Sequence, residues 1–538
     1  MDTTELTQVE GSMMAVTRLA THPVLTFFAI LLVAILLWYM IPYFTSPIRS
    51  RRGPLLASLT NYWRMYHAAG GSMHLVSYAL HARYGPVVRM APNYLDLDYP
   101  SLISTCLDSH GVWKKTEWHG ISGVKLGNKV LYNIFSECNP AEHAQIKKPV
   151  AKYFSSTGVS VMEPHINNVL AFFVKQLDDQ FTELAGFGKP LKFDEWASFY
   201  AWDTIAQSTW SRRAGHLEHA FDFDGMVDTS ARVMDYLVTV GMQPSLDRFL
   251  DKNPIFRIGP PSFVPVANAA FNHLTKRRSG EDDHDPSKPD FLDCYLDAMK
   301  KYPEVVDEPR LMSYILVNVA AGVDTTATTL RAIFYLALKD RRVWEKLEAQ
   351  ILDASFTKLP VSYSQARAVP YLEAVIRESM RLWPGSCFAQ ERYVPPGGLT
   401  LPDGSFVPEG VAVGFNAYVI HRNKNVWGDD AEEFRPERWL QGEDESTERF
   451  KDRLRLMNSS DLSFGAGSRK CLGVNFATME VYKTVATLIA VFEFELADPA
   501  REWKVHNSMF PRQSGIDLRI KRREGVTVPL GLDLGKEF

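Results

Sequence analysis

The sequence Phe464-Gly-Ala-Gly-Ser-Arg-Lys-Cys471-Leu-Gly473 sets one cysteine in a glycine-rich loop, and an apolar helix is predicted directly after it, over residues 474–494. Glycine adopts positive φ angles and lets other groups approach the backbone closely. A cysteine at the start of a helix has its thiolate stabilised by the dipole and by free N–H groups. Zinc and iron–sulfur sites need several ligands close together, so a lone thiolate fits the iron of a haem better.

This loop resembles the haem-binding signature of the cytochrome P450 family of haem-thiolate monooxygenases, Phe-x-x-Gly-x-x-x-Cys-x-Gly. Phe464, Gly467, Cys471 and Gly473 fill its four fixed positions. The resemblance implies haem b with Cys471 as the axial iron ligand, and a mainly α fold with a small antiparallel β portion. The alternative is a buried structural cysteine in a loop before a helix.

The composition is that of a large globular protein. The chain has 538 residues, 46% of them apolar and 23% charged, and a formal net charge of −4, which does not indicate nucleic-acid binding. Its five cysteines are scattered and include no Cys-x-x-Cys pair, which argues against a disulfide framework and for a reducing compartment. They are Cys106, Cys138, Cys294, Cys387 and Cys471.

An uncharged stretch near the N-terminus, residues 24–41, would extend about 27 Å as a helix and predicts a membrane anchor. A cleaved signal peptide is the rival interpretation, but the stretch is longer than the usual apolar core of such peptides. Three arginines follow it and one precedes it, so the positive-inside rule places the body in the cytoplasm. These are Arg49, Arg51, Arg52 and, before the stretch, Arg18.

We therefore divide the chain into an N-terminal tail (1–23), a transmembrane anchor (24–41), a linker (42–60) and a catalytic domain (61–538). Apolar periodicity predicts helices in the body, and β-prone runs predict a hairpin and a second strand-rich stretch. Two charged segments are predicted to be loops. The helices cover 141–154, 166–184, 330–351 and 370–382, the hairpin 86–98, the strand-rich stretch 399–415, and the loops 277–289 and 441–455.

A second motif, Ala321-Gly-Val-Asp324-Thr325-Thr326, interrupts the helix predicted over 311–338. Glycine inside a helix costs about 1 kcal/mol relative to alanine, and a carboxylate among apolar residues is unfavourable unless it is paired or hydrated. The motif resembles the family's oxygen-activating element. The resemblance implies that Gly322 opens the helix over the haem, Thr325 hydrogen-bonds dioxygen and Asp324 delivers protons. The alternative is a kinked core helix whose threonines bond to the preceding turn.

Further charged residues match the family's haem cradle. Glu378 and Arg381 lie at i, i+3 on a predicted helix face and, with Arg438, resemble the buried ion network of the family, which implies a structural role. The resemblance also implies cations for the haem propionates. The candidates are Arg469, Arg392 and the pair His143 and Lys147.

Lys147 stands where many relatives have arginine, so it keeps the charge but lacks the bidentate fork. A solvent-facing lysine is the alternative interpretation. Two further motifs look like sites but are interpreted otherwise. His216-Leu-Glu-His219 has no evident third metal ligand and is interpreted as a solvated helix surface, and His421 is interpreted as a packing residue.

The resemblance implies a monooxygenase that inserts one oxygen atom from O2 into a lipophilic small molecule, with hydroxylation favoured. The chain is most similar to fungal pisatin-demethylase-like members of secondary-metabolite pathways. It has no nucleotide-binding motif, so NADPH–cytochrome P450 reductase, with cytochrome b5 as a further donor, is the expected partner. The expected location is the endoplasmic reticulum membrane, single-pass.

Three phenylalanines, Phe221, Phe223 and Phe263, are expected in the substrate pocket. A reductase-independent isomerase or peroxide-driven enzyme is the alternative function. A membrane-anchored scaffold protein is a third possibility, against which the cysteine loop and the Asp324–Thr325 pair both argue.

Overall fold

Helices make up most of the chain, as the sequence predicts. The computed structural model describes residues 23–126, 129–183, 186–259 and 264–528, so the predicted tail lies almost wholly outside the described residues. The α-helices are Pro23–Thr45, Leu55–Leu59, Tyr62–Ala69, Met73–Tyr84, Ile103–Cys106, Pro140–Ala151, Ser156–Ser160, Glu163–Phe181, Phe193–Trp210, His216–His219, Met226–Gly241, Pro244–Leu250, Val264–Ser279, Phe291–Lys301, Glu308–Lys339, Arg341–Asp353, Tyr363–Arg367, Pro370–Leu382, Ala417–Ile420, Lys424–Trp427, Thr447–Ser460 and Val474–Val491.

The strands are short and form small sheets at the periphery of the helices. A four-stranded sheet has the order Val87–Ala91, Tyr94–Leu97, Ala412–Gly414, Arg392–Tyr393. Its third strand runs parallel to the second, whereas every other pairing among the described strands is antiparallel, as predicted. The remaining strands are Val124–Leu126, Lys129–Leu131, Thr182–Glu183, Gly186–Phe187, Leu191–Lys192, Leu399–Thr400, Phe406–Val407, Phe492–Leu496, Lys504–Asn507, Pro511–Ser514 and Asp517–Arg522.

The helix Glu308–Lys339, here called the central helix, lies at the middle of the main hydrophobic core. It packs along the helix Phe193–Trp210 and against the helices Pro370–Leu382 and Val474–Val491. A Cβ at Gly322 would lie 2.8 Å from Cδ1 of Ile205, so the glycine lets these two helices approach closely. The helix Val474–Val491, which follows the cysteine loop, also packs directly against the central helix.

Several predicted boundaries were wrong. The run 330–351 is two helices, because Asp340 interrupts it and its side chain caps the second helix by accepting from Val343 N at 3.2 Å. The helix after the cysteine loop ends at Val491, and the alternating apolar and acidic residues beyond it, Phe-Glu-Phe-Glu-Leu, form the strand Phe492–Leu496. The segment 441–455, predicted as a loop, contains the start of the helix Thr447–Ser460, whose cap is Ser446.

The segment 277–289, predicted as a solvated connection, begins at the end of the helix Val264–Ser279 and is held by ion pairs of Arg277 and His284. The helix predicted over 166–184 spans Glu163–Phe181, and residue 184 lies outside the described part of the chain.

The N-terminal apolar helix spans Pro23–Thr45 and continues through Pro42, beyond the predicted end at residue 41. Its segment Leu25–Thr45 is long and apolar enough to cross a membrane, with a mean hydropathy of 2.4, and none of it is buried against the body. An apolar surface of this length is unfavourable in water, which agrees with a membrane anchor.

Candidate active site

The cysteine loop is held by its own backbone and by residues 107–108. The Cys471 N–H donates to the Phe464 carbonyl at 2.8 Å, and the Ser468 N–H donates to the Asp108 carbonyl at 3.0 Å. Gly467 has a φ of 62°, and a Cβ there would lie 1.8 Å from the Leu107 carbonyl oxygen. Only glycine fits this position, which explains its place in the loop.

Cys471 lies on the wall of a cavity of about 1650 Å³. Burial raises the pKa of its thiol, whereas the Gly473 N–H, Lys470 and Lys147 act in the opposite direction. A pocket for one drug-sized ligand has a volume of about 300–1,000 Å³, so this cavity has room for a planar cofactor together with a substrate. Phe464 and Arg469 of the same loop also line it.

The central helix forms another wall of this cavity. Gly322, Thr325 and Thr326 line it, and the Thr325 hydroxyl donates to the Ala321 carbonyl at 2.8 Å. The backbone is helical throughout Glu308–Lys339, so the expected interruption at Gly322 is not present. The glycine instead accommodates Ile205, and its role toward dioxygen stays a prediction.

Asp324 faces away from this cavity and is not among its lining residues. Ser230 Oγ donates to Asp324 Oδ2 at 3.4 Å. Burial raises the pKa of the Asp324 carboxyl, and the guanidinium groups of Arg331 and Arg512 partly offset that effect. The side chain is thus placed between the helix Met226–Gly241 and buried positive charge, and a proton-delivery role stays a prediction.

A group of buried and half-buried basic side chains lines the cavity beside the cysteine loop. Arg392 and Arg469 donate to the carbonyls of Glu391 and Glu137 at 2.8 and 2.6 Å, and Lys147 Nζ donates to the Ser468 carbonyl at 3.1 Å. Lys147 therefore is not the solvent-facing lysine of the alternative interpretation.

Two members of this group were not predicted, Lys115 and His119. Lys115 is buried and its Nζ donates to the Phe135 carbonyl at 2.7 Å. The signal that could have pointed to it is the pair Lys114-Lys115, but the sequence does not show which lysine faces inward. We call Lys115, His119, His143, Lys147, Arg392 and Arg469 the cation cluster.

Charge in the cation cluster is not balanced from within the protein. In the part of the chain that the structure describes, none of its lysines and arginines forms an ion pair with a carboxylate. Burial and the neighbouring Arg392 and Arg469 hold the pKa of Lys115 well below its usual range, and burial with Arg469 lowers the pKa of His143 to about 3. Such a cluster suits a dianionic ligand, and the two propionates of a haem have that charge.

Glu480, which sequence reasoning missed, is a buried carboxyl on the cavity wall. Its Oε2 accepts from Thr326 Oγ1 of the central helix at 3.2 Å, and its Oε1 has no hydrogen-bond partner among the described residues. Burial raises its pKa to about 8. The available signal was a lone carboxylate inside the apolar helix after the cysteine loop.

The ion network beneath the cysteine loop is as predicted. Glu378 Oε1 accepts from Arg381 Nη2 at 2.8 Å and from Arg438 Nε at 2.9 Å, and all three side chains are buried. His421, interpreted as a packing residue, connects this network to the loop. Its Nδ1 lies 2.9 Å from the Arg381 carbonyl, and its Nε2 accepts from Leu462 N at 2.8 Å.

Aromatic and aliphatic side chains form the rest of the cavity wall. The expected Phe221 and Phe223 do not line it, because both lie on the surface beside the ring of His219, and Phe263 lies outside the described residues. The apolar residues that line the cavity instead include Trp118, Ile121, Phe135, Ile205, Val233, Met234, Leu237, Val317, Phe388, Met509 and Phe510.

Comparison with known proteins agrees with this arrangement. The profile of the cytochrome P450 family matches residues 52–515. The chain belongs to the cytochrome P450 family. Members of this family carry a haem whose iron is bound by a cysteine thiolate, and they generally act on lipophilic substrates with electrons from a redox partner.

The chain is also similar to fungal members of the family. It is 32% identical over 500 residues to the cytochrome P450 monooxygenase mpaDE of Penicillium brevicompactum, covering 91% of this chain and 57% of that protein. It is 31% identical to cytochrome P450 monooxygenase cicH of Emericella nidulans, covering 88% and 94%, and 28% identical to vrtE of Penicillium aethiopicum, covering 94% and 96%. The chain thus spans little more than half the length of mpaDE.

Proposed function

We propose that this cytochrome P450 is a monooxygenase that inserts one oxygen atom from O2 into a lipophilic small molecule of fungal secondary metabolism, with hydroxylation as the reaction. The observation that carries the proposal is one cavity that brings together Cys471, the Thr325 hydroxyl and the cation cluster, whose lysines and arginines have no carboxylate counter-ion among the described residues. When bound, the haem supplies oxygen activation, for which an axial thiolate donates electron density.

The residues of the chain have distinct roles in this proposal. Cys471 holds the iron, and the narrow loop around Gly467 fixes the position of its sulfur. The cation cluster orients the haem by binding its propionates. Thr325 presents a hydroxyl to the reacting face, and Asp324 relays protons toward it from the side of Ser230.

The substrate is bound by apolar contact. Trp118 and Phe388 stack at a centroid distance of 6.1 Å on the cavity wall, and Met234 and Leu237 line the same cavity from the helix Met226–Gly241. Such a surface binds a hydrocarbon-rich ligand and excludes water. We propose a terpenoid, a polyketide or a prenylated alkaloid as the substrate class.

Electrons and membrane attachment come from outside the catalytic body. We propose that NADPH–cytochrome P450 reductase supplies the electrons, with cytochrome b5 as a further donor, and that the reductase docks near the exposed Lys470.

We also propose that the helix Pro23–Thr45 anchors the chain in the endoplasmic reticulum membrane as a single pass, with the body in the cytoplasm. Leu55, Leu56 and Ile255, which are 64%, 62% and 84% exposed, extend the apolar surface available to a bilayer.

The test is reductase-supported turnover in membranes, measured as NADPH oxidation, peroxide release and product formation from a panel of lipophilic compounds. Thr325→Ala is expected to keep the haem but to divert electrons into peroxide, and the matched Thr325→Ser variant is expected to restore coupling. If Thr325→Ala formed as much product per NADPH oxidised as the unmodified protein, Thr325 would have no role in oxygen activation. Turnover that proceeds without NADPH and reductase would favour the isomerase or peroxide-driven alternative.

A further inference from the structure

His216 lies in the segment that joins the helices Phe193–Trp210 and Met226–Gly241, and it is fully buried. The predicted solvated helix surface is therefore wrong for His216, although His219 is exposed as expected. Its ring packs between Trp202 and Phe223, with centroid distances of 5.7 and 5.3 Å. Neither ring nitrogen has a hydrogen-bond partner in the described chain. A buried imidazole that makes no hydrogen bond is unfavourable, so a ligand on one of these nitrogens would stabilise it.

The unpartnered Nε2 points at two carboxylates. It lies 3.3 Å from Asp224 Oδ1 and 3.8 Å from Asp222 Oδ1, and the three atoms lie within 4.8 Å of one another. In tetrahedral zinc sites, bond lengths of about 2.0–2.2 Å put neighbouring ligand atoms about 3.3–3.5 Å apart. The three atoms are thus already close to the spacing that a metal ion requires.

Backbone hydrogen bonds fix both carboxylates. Asp222 accepts from the N–H groups of Val227 and Asp228 at 3.1 and 3.0 Å, and Asp224 Oδ1 accepts from Met226 N at 3.0 Å. Carboxylate orientation therefore does not depend on a metal ion. Each oxygen that faces His216 retains a further lone pair.

A third carboxylate lies behind the histidine ring. Asp203 is buried, its Oδ1 is 3.9 Å from His216 Nδ1, and it accepts from the backbone N–H groups of Gly215 and His216. A histidine bound to a metal usually donates its other ring N–H to a carboxylate, and Asp203 lies on that side of the ring, at a distance greater than that of a hydrogen bond.

The second group of this type in the described chain is already neutralised. His284, Asp290 and Asp293 are similarly close together, but Arg277 donates to Asp290 at 2.8 Å and to Asp293 at 2.6 Å. A guanidinium thus occupies the place of a cation there. Around His216, Asp222 and Asp224, no arginine or lysine makes such an ion pair among the described residues.

We propose that His216 Nε2, Asp222 Oδ1 and Asp224 Oδ1 bind one divalent transition-metal ion, with zinc as the best match to this donor set. One imidazole and two carboxylates are ligands that Zn²⁺ accepts, and the side chains of Asp222 and Asp224 are each 24% exposed, so water can reach them as a further ligand. The ion ties the short helix His216–His219 to the segment just before Met226–Gly241, the helix whose residues Met234 and Leu237 line the cavity. The site is structural and is separate from the haem.

The test uses the full-length, haem-loaded and tag-free protein in detergent. Metal content is measured by plasma mass spectrometry per mole of haem, and the EDTA-treated protein is then titrated calorimetrically with zinc chloride. We expect one bound zinc per chain in the unmodified protein and none in His216→Phe, which preserves the aromatic packing. Asp224→Asn is expected to lose the same site, and Asp203→Asn to bind zinc about 10- to 100-fold more weakly.

His284→Asn and His219→Asn are the matched controls and are expected to keep the zinc. Equal haem content and the same carbon monoxide difference spectrum in all variants exclude misfolding as the cause of a loss. Failure of the unmodified protein to bind zinc, or equal binding by His216→Phe and Asp224→Asn, would overturn the proposal. Neither outcome touches the proposed monooxygenase function, because the readout is metal stoichiometry.

Discussion

Two groups of buried charge adjoin the cysteine loop, and they differ in how their charge is balanced. In the network of Glu378, Arg381 and Arg438, each guanidinium meets a carboxylate, and Arg438 also contacts Asp430 at 3.2 Å. The cation cluster has two lysines and two arginines whose hydrogen-bond partners among the described residues are backbone carbonyls. A self-compensated group stabilises the fold, whereas an uncompensated one indicates a ligand of opposite charge.

The largest effect is expected from removing the anion of the compensated network. Glu378→Gln leaves the buried Arg381 without a carboxylate and Arg438 with Asp430 alone, so the free energy of unfolding should fall by about 3–5 kcal/mol. The yield of folded, haem-containing protein and its denaturant midpoint measure this. Glu432→Gln changes an exposed glutamate near Arg438 in the chain; it is the control and should change stability little. A Glu378→Gln protein as stable as this control would show that the network is dispensable.

Removal of a positive charge from the cation cluster, unlike removal of Glu378, is not expected to destabilise the haem-free chain. Lys115→Met takes a buried charge away from Arg392 and Arg469, so the haem-free chain should be no less stable than the unmodified one. The loss of a charge-assisted hydrogen bond, about 1.5–3 kcal/mol, should weaken haem retention about 10- to 100-fold. Transfer of haem to an acceptor protein measures retention.

The exposed neighbour makes this a matched experiment. Lys114→Met changes the same side chain one residue earlier, where it faces solvent. If both variants released haem at the same rate, Lys115 would not be a propionate ligand.

A smaller effect is expected at Lys147, which bonds the cysteine loop through the Ser468 carbonyl. Lys147→Met should weaken haem retention by about 0.5–1.5 kcal/mol, because one exchangeable hydrogen bond and one partly screened charge are lost. Lys148→Met, on the exposed side of the same helix, is the control. Identical haem release from the two variants would contradict a role for Lys147 in the cluster.

An effect of a different kind, a change in the pH dependence of stability, is expected at Glu480. Its pKa is raised from 4.5 to about 8, so between these values the folded chain holds a proton that the unfolded chain has released. The folded state therefore loses stability as pH rises through this window. Glu480→Gln removes that slope, and its melting temperature should exceed that of the unmodified protein increasingly from pH 5.5 to pH 8. If the difference in melting temperature between the two proteins stayed constant from pH 5.5 to pH 8, Glu480 would not be the source of this pH dependence.

Sequence reasoning found the parts of the site that are close together in the chain. The cysteine loop and the Glu378–Arg381 pair each lie within one segment, so spacing alone exposes them. Lys115 and Glu480 were missed because their significance lies in burial beside residues from distant segments. The bend at Asp340 was missed because the apolar pattern continues across it.

The motif around His216 shows that local spacing can also point to the wrong partner. Its motif offered a histidine partner three positions further along the helix, but the carboxylates that face it come from residues 222 and 224, beyond a turn. Burial of His216 depends on the aromatic residues Phe199 and Trp202 of a preceding helix. Tertiary packing of this kind is not encoded in local periodicity.

The most direct test of the central claim, a thiolate-bound haem beside the cation cluster, is a carbon monoxide difference spectrum of dithionite-reduced membranes that contain the full chain. We predict the red-shifted Soret band of a thiolate-ligated haem, and its absence in Cys471→Ser. The band in Cys471→Ser, or no band in unmodified protein shown to be folded and supplied with haem, would contradict Cys471 as the iron ligand.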